Sequence, residues 1–318
     1  MNPAARVYDD IFQMLPGVDN PTPLVRINAL APTKGFELFA KLEWMNPFGS
    51  VKDRAAWSML RDLEAKNQLS PTRGLVEPTS GNTGISLAAL ASVRGYHARA
   101  IVPERIPEEK KVLLRIAGAE VDALSDAMCP SPGMGEGSIG MAKSYARAQG
   151  DKYVMANQYE NWANAQAHIL TTGPEIVRQT EGKVTHVFVS LGTCGTATGL
   201  GTFFKNHNSN VKIIAVQPTE GHDVPGLRSR SELHATKLFD ESLLADILEI
   251  DFEKAYTTAL ELCRREGLFA GPSSGLIFEG ARQYLERERA SGVGVMIFAD
   301  SVFKYVSSMV KHVPALGG

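Results

Sequence analysis

Four segments of this sequence join a glycine-containing turn to the start of a helical pattern, and each could do different chemistry. In Asn46–Arg54, NPFGSVKDR, Lys52 follows a Gly-Ser turn with apolar flanks, a place from which its side chain would face inward over neighbouring strand ends. A lysine so placed can form a Schiff base with a carbonyl cofactor or substrate, whereas a lone lysine is more often a solvated surface group. Glu77–Gly84, EPTSGNTG, sets the polar side chains of Thr79, Ser80, Asn82 and Thr83 beside exposed backbone N–H donors. That composition makes a carboxylate or phosphate cradle, and equally an elaborate helix N-cap. Ser190–Gly201, SLGTCGTATGLG, follows the apolar run THVFVSL, so its free N–H groups and the positive end of the next helix would meet an anion, a phosphate foremost. Gly271–Gly275, GPSSG, is a further loop before a helix, with two hydroxyls; alone it reads as a cap.

Other chemistries are poorly served. The glycines of Ser190–Gly201 fit neither the dinucleotide fingerprint nor a P-loop, and there is no GxSxG elbow. Cys129, Cys194 and Cys263 lack paired spacing, and the seven histidines are scattered, so no metal site is expected. Cys194 reads as a small residue within an anion loop rather than a nucleophile. With 33 Lys plus Arg against 35 Asp plus Glu, a formal charge of −2, the 318-residue chain lacks the basic excess of a nucleic-acid binder. Its opening residues do not read as a secretory signal, and the cysteine usage fits a reducing cytoplasm. Pro78–Val93 and Val184–Phe204 carry no Asp, Glu, Lys or Arg, but both are dense in Gly, Ser and Thr, so they read as loops joined to buried elements and not as membrane spans.

The elements that must position these segments alternate. Near-continuously apolar strands are expected at Phe36–Glu43, Leu75–Pro78, Ala98–Pro103, Glu120–Leu124, Tyr153–Ala156, Thr185–Leu191, Lys212–Pro218 and Val293–Ala299. Helical patterns lie between them at Lys52–Lys66, Gly84–Arg94, Glu108–Ala117, Ser138–Gln149, Trp162–Thr180, Thr196–Lys205, Phe252–Glu266 and Ser274–Glu288. Repeated βα alternation with buried strands defines an α/β fold with parallel sheets. On the first helix, Asp53, Arg54 and Asp62–Lys66 read as a charged face opposite Ala55, Met59 and Leu60. Irregular stretches are expected at Cys129–Gly140 and Thr219–Leu238, with domain joints near Trp44 and Asp151.

Taken in order, the four segments resemble the pyridoxal-phosphate-dependent cysteine synthase family, the β-replacement enzymes of fold type II, over nearly the whole chain. NPFGSVKDRAA resembles the Schiff-base lysine motif, EPTSGNTGISLA the substrate-carboxylate loop, GTCGT the phosphate cup and AGPSSG the pyridine-nitrogen segment. Thr171–Thr180, TTGPEIVRQT, and Ala215–Ser229, AVQPTEGHDVPGLRS, are most similar to the cysteine synthase B branch. The resemblance implies two open, twisted, mostly parallel sheets flanked by helices, as in the tryptophan synthase β chain. It implies a larger cofactor domain from 1–43 plus 152–318 and a smaller, mobile substrate-loop domain over 44–151. By the same resemblance Lys52 holds the cofactor and serves as general base, Asn82 bonds the ring hydroxyl, and Ser273 faces the pyridine nitrogen. Gly192, Thr193, Cys194, Gly195 and Thr196 wrap the phosphate, while Thr79, Ser80, Thr83 and Gln158 hold the amino-acid carboxylate. A hydroxyl at the pyridine nitrogen need not protonate the ring, which favours loss of a β-leaving group. The O-phosphoserine-using relatives also carry an arginine near the position of Arg228, which implies a pairing with a substrate phosphate.

The implied reaction is β-replacement on an O-acetylated or O-phosphorylated L-serine through an aminoacrylate. Sulfide or thiosulfate then yields cysteine or S-sulfocysteine in a cytoplasmic homodimer. The sequence departs from the pattern twice. Cys194 stands where many relatives have Gly or Thr, and Phe298–Tyr305, FADSVFKY, replaces an acidic, glycine-containing stretch. Asp300-Ser301-Val302 resembles cystathionine β-synthase, which leaves homocysteine, or an amine nucleophile of siderophore or diaminopropionate synthesis, as an alternative. Outside the enzymes, the alternative is a regulatory module that binds the cofactor or an amino acid.

Overall fold

The computed structural model describes residues 7–31, 35–79, 81–104, 106–124 and 137–317. Among these residues ten strands run β1 Leu24–Arg26, β2 Phe36–Leu42, β3 Gly74–Pro78, β4 Ala98–Pro103, β5 Ala119–Leu124, β6 Tyr153–Met155, β7 Val184–Ser190, β8 Lys212–Pro218, β9 Asp246–Ile250 and β10 Gly292–Phe298. The α-helices are α1 Lys52–Ala65, α2 Asn82–Val93, α3 Glu108–Ile116, α4 Gly137–Ala148, α5 Ala163–Ala167, α6 Gly173–Gln179, α7 Gly195–His207, α8 Phe252–Glu266, α9 Pro272–Glu288 and α10 Val306–His312. None of the helices among the described residues is long and apolar enough to cross a membrane.

Two sheets carry the fold, of order β1-β2-β10-β7-β8-β9 and β5-β4-β3-β6. Every pairing is parallel except that of β1 with β2. This is the expected α/β class, with its mostly parallel sheets flanked by helices. The apolar runs explain it: alternate residues of a strand point to opposite faces, and here both faces are covered. Phe188, Ile214, Val216, Met296 and Phe298 pack with Tyr256, Leu262, Leu276 and Phe278 of α8 and α9. Their neighbours Val187, Val189, Ile213, Val295 and Ile297 pack with Leu200 and Phe204 of α7 on the opposite face. In the smaller sheet Leu75, Ala98, Ala100 and Val102 face Met59, Leu60, Leu87 and Leu114 of α1, α2 and α3, while Val76 and Ile101 face Ala142 of α4. β6 starts at Tyr153, just past the joint expected near Asp151, and pairs with β3 of the smaller sheet.

Among the described residues two strands and one α-helix lie outside the sequence expectation. β1 and β9 are sheet edges, and α10 is a short helix after β10. The single helix expected over Trp162–Thr180 is instead α5 and α6 joined by a π-helical turn at His168–Thr172.

The charges at the head of α1 are also not a solvated face. Asp53 and Arg54 are buried. Arg54 bonds Glu43 at 2.7 and 2.9 Å and Glu175 at 2.5 and 2.8 Å, and Lys41 of β2 lies 2.7 Å from Glu175. Two cations and two carboxylates thus balance in the interior, which offsets the desolvation of each. Asp53 accepts from the Phe48 N–H at 2.7 Å and from the Ser86 hydroxyl at 2.6 Å. These side chains fix the first turn of α1, and therefore Lys52.

Candidate active site

The loops after the C-terminal ends of β3, β7 and β10 converge on one cavity of about 330 Å³ between the two sheets. Ligand sites of parallel sheets lie at such strand ends. Lys52, Thr79, Asn82, Thr83, Gln158, Gly192, Thr193, Cys194, Thr196, Arg228 and Ser273, all singled out by sequence, line it. Gly195 sits behind the wall as the first residue of α7, and Ser80 and Cys129 lie outside the described residues.

The Lys52 amine enters this cavity from the head of α1. Its loop is tied to the exit of β10 by the Val51 N–H, which donates to Ala299 O at 2.8 Å. Among the described residues no acceptor lies within hydrogen-bond distance of the amine, and burial pushes its pKa down against the opposing pull of Asp300. A desolvated amine is neutral more of the time, the form that attacks a carbonyl or takes a proton.

Opposite stands the turn from β7 into α7. Cys194 has φ +66° and Gly195 starts the helix, so the first N–H groups of α7 open toward the cavity with no intrahelical acceptor. A Cβ on Gly192 would overlap Gly226 O, and one on Gly195 would overlap Asn164 Oδ1. Asn164 Nδ2 donates to Thr193 Oγ1 at 3.0 Å and to Gln158 O at 2.8 Å, so one buried amide joins the cup to the segment bearing Gln158. Thr196 Oγ1 lies 3.1 Å from Nε2 of His168, a buried histidine kept neutral by desolvation, its pKa down to about 3. Burial pushes the Cys194 thiol up to about 12, so it is not a thiolate nucleophile.

The head of α2 combines both readings of its sequence. Thr79 Oγ1 accepts from the Gly84 N–H at 3.0 Å as a cap, while the Thr83 hydroxyl donates to Gln158 Oε1 at 2.7 Å at the cavity wall. Gln158 is set in turn by Glu77, whose buried carboxylate accepts the N–H groups of Asn157 at 2.7 Å and Gln158 at 3.0 Å. Ser273, in the first turn of α9, has no side-chain partner among the described residues. The Arg228 guanidinium lies 5.2 Å over the Tyr159 ring, with no carboxylate at ion-pair distance among the described residues.

Sequence reasoning marked Phe298–Tyr305 as a departure but gave Asp300, Lys304 and Tyr305 no role in the site, and it missed Lys110. Asp300 and Tyr305 line the cavity, Lys110 reaches it from α3, and Lys304 bonds Asn82. A carboxylate directly after an apolar strand was the signal available for Asp300; nothing in its sequence context marks Lys110.

The comparisons with known proteins agree with this geometry. Residues 16–300 match the family model of the pyridoxal-phosphate dependent enzymes. Cysteine synthase B of Salmonella typhimurium is 38% identical over 289 residues, 91% of this chain and 93% of that protein. The crystal structure of O-ureido-L-serine synthase superposes with a TM-score of 0.85 at 30% identity, covering 96% of both chains. O-acetyl serine sulfhydrylase isoform 3 from Entamoeba histolytica gives 0.87 at 27% identity, over 98% of this chain and 94% of that one.

The chain belongs to the pyridoxal-phosphate-dependent enzymes and, within them, to the cysteine synthases. Its cofactor is pyridoxal phosphate. The site fits that group on its own terms: an amine and an α9 hydroxyl that have no partner among the described residues, and a helix head with glycines where a Cβ would collide.

Proposed function

We propose that this enzyme replaces the β-substituent of an O-activated L-serine with sulfide to form cysteine. The observation that carries this reading is the Lys52 amine, desolvated and without an acceptor among the described residues, in the same cavity as the heads of α2 and α7. When bound, pyridoxal phosphate supplies an aldehyde carbon and an electron-withdrawing ring that stabilises negative charge at the substrate α-carbon. In this reading the α7 head, with Gly192 to Thr196, holds the phosphate, Ser273 faces the pyridine nitrogen and Asn82 the ring hydroxyl. Thr79, Thr83 and Gln158, with the α2 head, hold the substrate carboxylate. Lys52 takes the proton from the α-carbon, a step that its lowered pKa assists.

The leaving group is read from Arg228. A guanidinium at the cavity wall, without a carboxylate partner among the described residues, suits an anion, so the phosphorylated donor is favoured over the acetylated one. The resemblance to cysteine synthases further supports a cytoplasmic homodimer. The test is cysteine formation by purified protein from sulfide with O-phosphoserine and, separately, with O-acetylserine. Cysteine from either donor supports the reaction, faster turnover of the phosphorylated one supports the role of Arg228, and no cysteine from either refutes the proposal.

A further inference from the structure

Asn82 opens α2 at the wall of the lysine cavity, and its amide is gripped at both ends. The Lys304 ammonium, a group that can only donate, lies 2.9 Å from Asn82 Oδ1, and Asn82 Nδ2 donates to Asp300 Oδ2 at 2.6 Å. Turning the amide over would set an ammonium against an NH2 group and a carboxylate against a carbonyl. The two charges therefore decide which end of the amide is which. Lys304 also donates to Phe48 O at 2.9 Å, in the turn that leads to Lys52, and the Tyr305 hydroxyl donates to the same Asp300 oxygen. Lys304 and Asp300 follow β10 of the larger sheet, whereas Asn82 follows β3 of the smaller one, so the grip also crosses the cavity. Asp300 takes one of the two Nδ2 hydrogens. Among the described residues the Nδ2 group meets one further acceptor, the Tyr305 oxygen at a weak 3.4 Å, so a hydrogen is left for an acceptor in the cavity.

We infer that Lys304 and Asp300 are positioning residues that hold Asn82 as a hydrogen-bond donor, and not an acceptor, toward the ring oxygen of the cofactor. This rests on the reading above that Asn82 meets that oxygen. A donor there stabilises the anionic ring oxygen, the form in which a pyridoxal Schiff base absorbs visible light. An acceptor there stabilises the neutral hydroxyl, whose band lies in the near ultraviolet. Lys304→Met removes the charge at the carbonyl end of Asn82, leaves Asp300 alone to set the amide and so weakens the preference for the donor orientation.

The experiment compares absorption spectra of the cofactor-loaded wild type, Lys304→Met, Lys304→Arg and Asn82→Asp. Lys304→Met is expected to lower the ratio of visible to near-ultraviolet absorbance by roughly tenfold, the scale of one charge-assisted hydrogen bond. Lys304→Arg, which keeps a charged donor, should restore most of the ratio, and Asn82→Asp, which offers only acceptor oxygens, should match Lys304→Met. Should Lys304→Met not fold, Lys304→Gln serves, with a smaller shift in the same direction expected. An unchanged ratio in whichever variant folds, beside a coloured wild type, overturns this inference alone. A wild type with no visible band when supplied with pyridoxal phosphate overturns the cofactor reading as well.

Discussion

Arg54 reaches Glu175 through two hydrogen bonds, of 2.5 and 2.8 Å, where neither side chain meets solvent. Arg54 is two residues along α1 from Lys52, so this pair anchors the turn that presents the amine. Arg54→Met leaves Glu43 and Glu175 with only Lys41 to balance them. A loss of 3–5 kcal/mol is expected, on the order of that for other broken buried pairs, and chemical denaturation of the variant measures it. A loss below about 1 kcal/mol, the range of surface pairs, would show that the network is not what fixes α1.

Gly195→Ala tests the phosphate cup. Its Cβ has no room beside Asn164 Oδ1, so either the head of α7 or the Asn164 bridge to Thr193 must shift. Pyridoxal phosphate affinity of the folded variant, followed by fluorescence titration, is expected to weaken by roughly tenfold or more, beside a loss of about 1–3 kcal/mol in the stability of the cofactor-free protein from the crowded Cβ. Undiminished affinity would place the phosphate elsewhere.

Arg228→Leu separates the two donors. With no carboxylate partner to strand among the described residues, Arg228 can be removed at little structural cost. The kcat/KM for O-phosphoserine is expected to fall by about 10²-fold, the loss of a charge-assisted pair, with O-acetylserine within a few-fold of wild type. Equal losses with both donors would make the arginine structural.

Glu77 gives a pH signature. Burial pushes its carboxyl up to about 7 from the usual 4.5 despite two backbone N–H donors. Between those values the folded state binds more protons than the unfolded one, so this group's contribution to stability declines as pH rises from about 4.5 to 7. Glu77→Gln cannot ionise. Denaturation at the two ends of that window should show the variant gaining on wild type as pH rises, by ~1–3 kcal/mol. A difference independent of pH would mean that Glu77 is already ionised below that range.

Much of this was legible before the structure because parallel strands buried on both faces write themselves as apolar runs. Ala98–Pro103 and Lys212–Pro218 match β4 and β8 end to end. β1, LVR, and β9, DILEI, escaped because a short edge strand carries charged residues within or beside a brief apolar run. The lysine, the two helix heads and the hydroxyl of α9 were visible as local motifs, since each depends on a turn and the residue after it. Asp53 and Arg54 were misread for the opposite reason. Their burial depends on partners far along the chain: Glu175 for Arg54 and Ser86 for Asp53. Lys304 is the same case, because its meaning lies in Asn82, 222 positions away.

In the proposed reaction Lys52 carries the cofactor. Reducing the loaded enzyme with borohydride turns a Schiff base into a stable secondary amine, which peptide mass spectrometry then locates. One pyridoxyl adduct is expected, on Lys52 in the tryptic peptide Leu42–Arg54, and none after Lys52→Ala. An adduct on Lys110, Lys304 or any other lysine of the wild type, or none at all, would contradict the account.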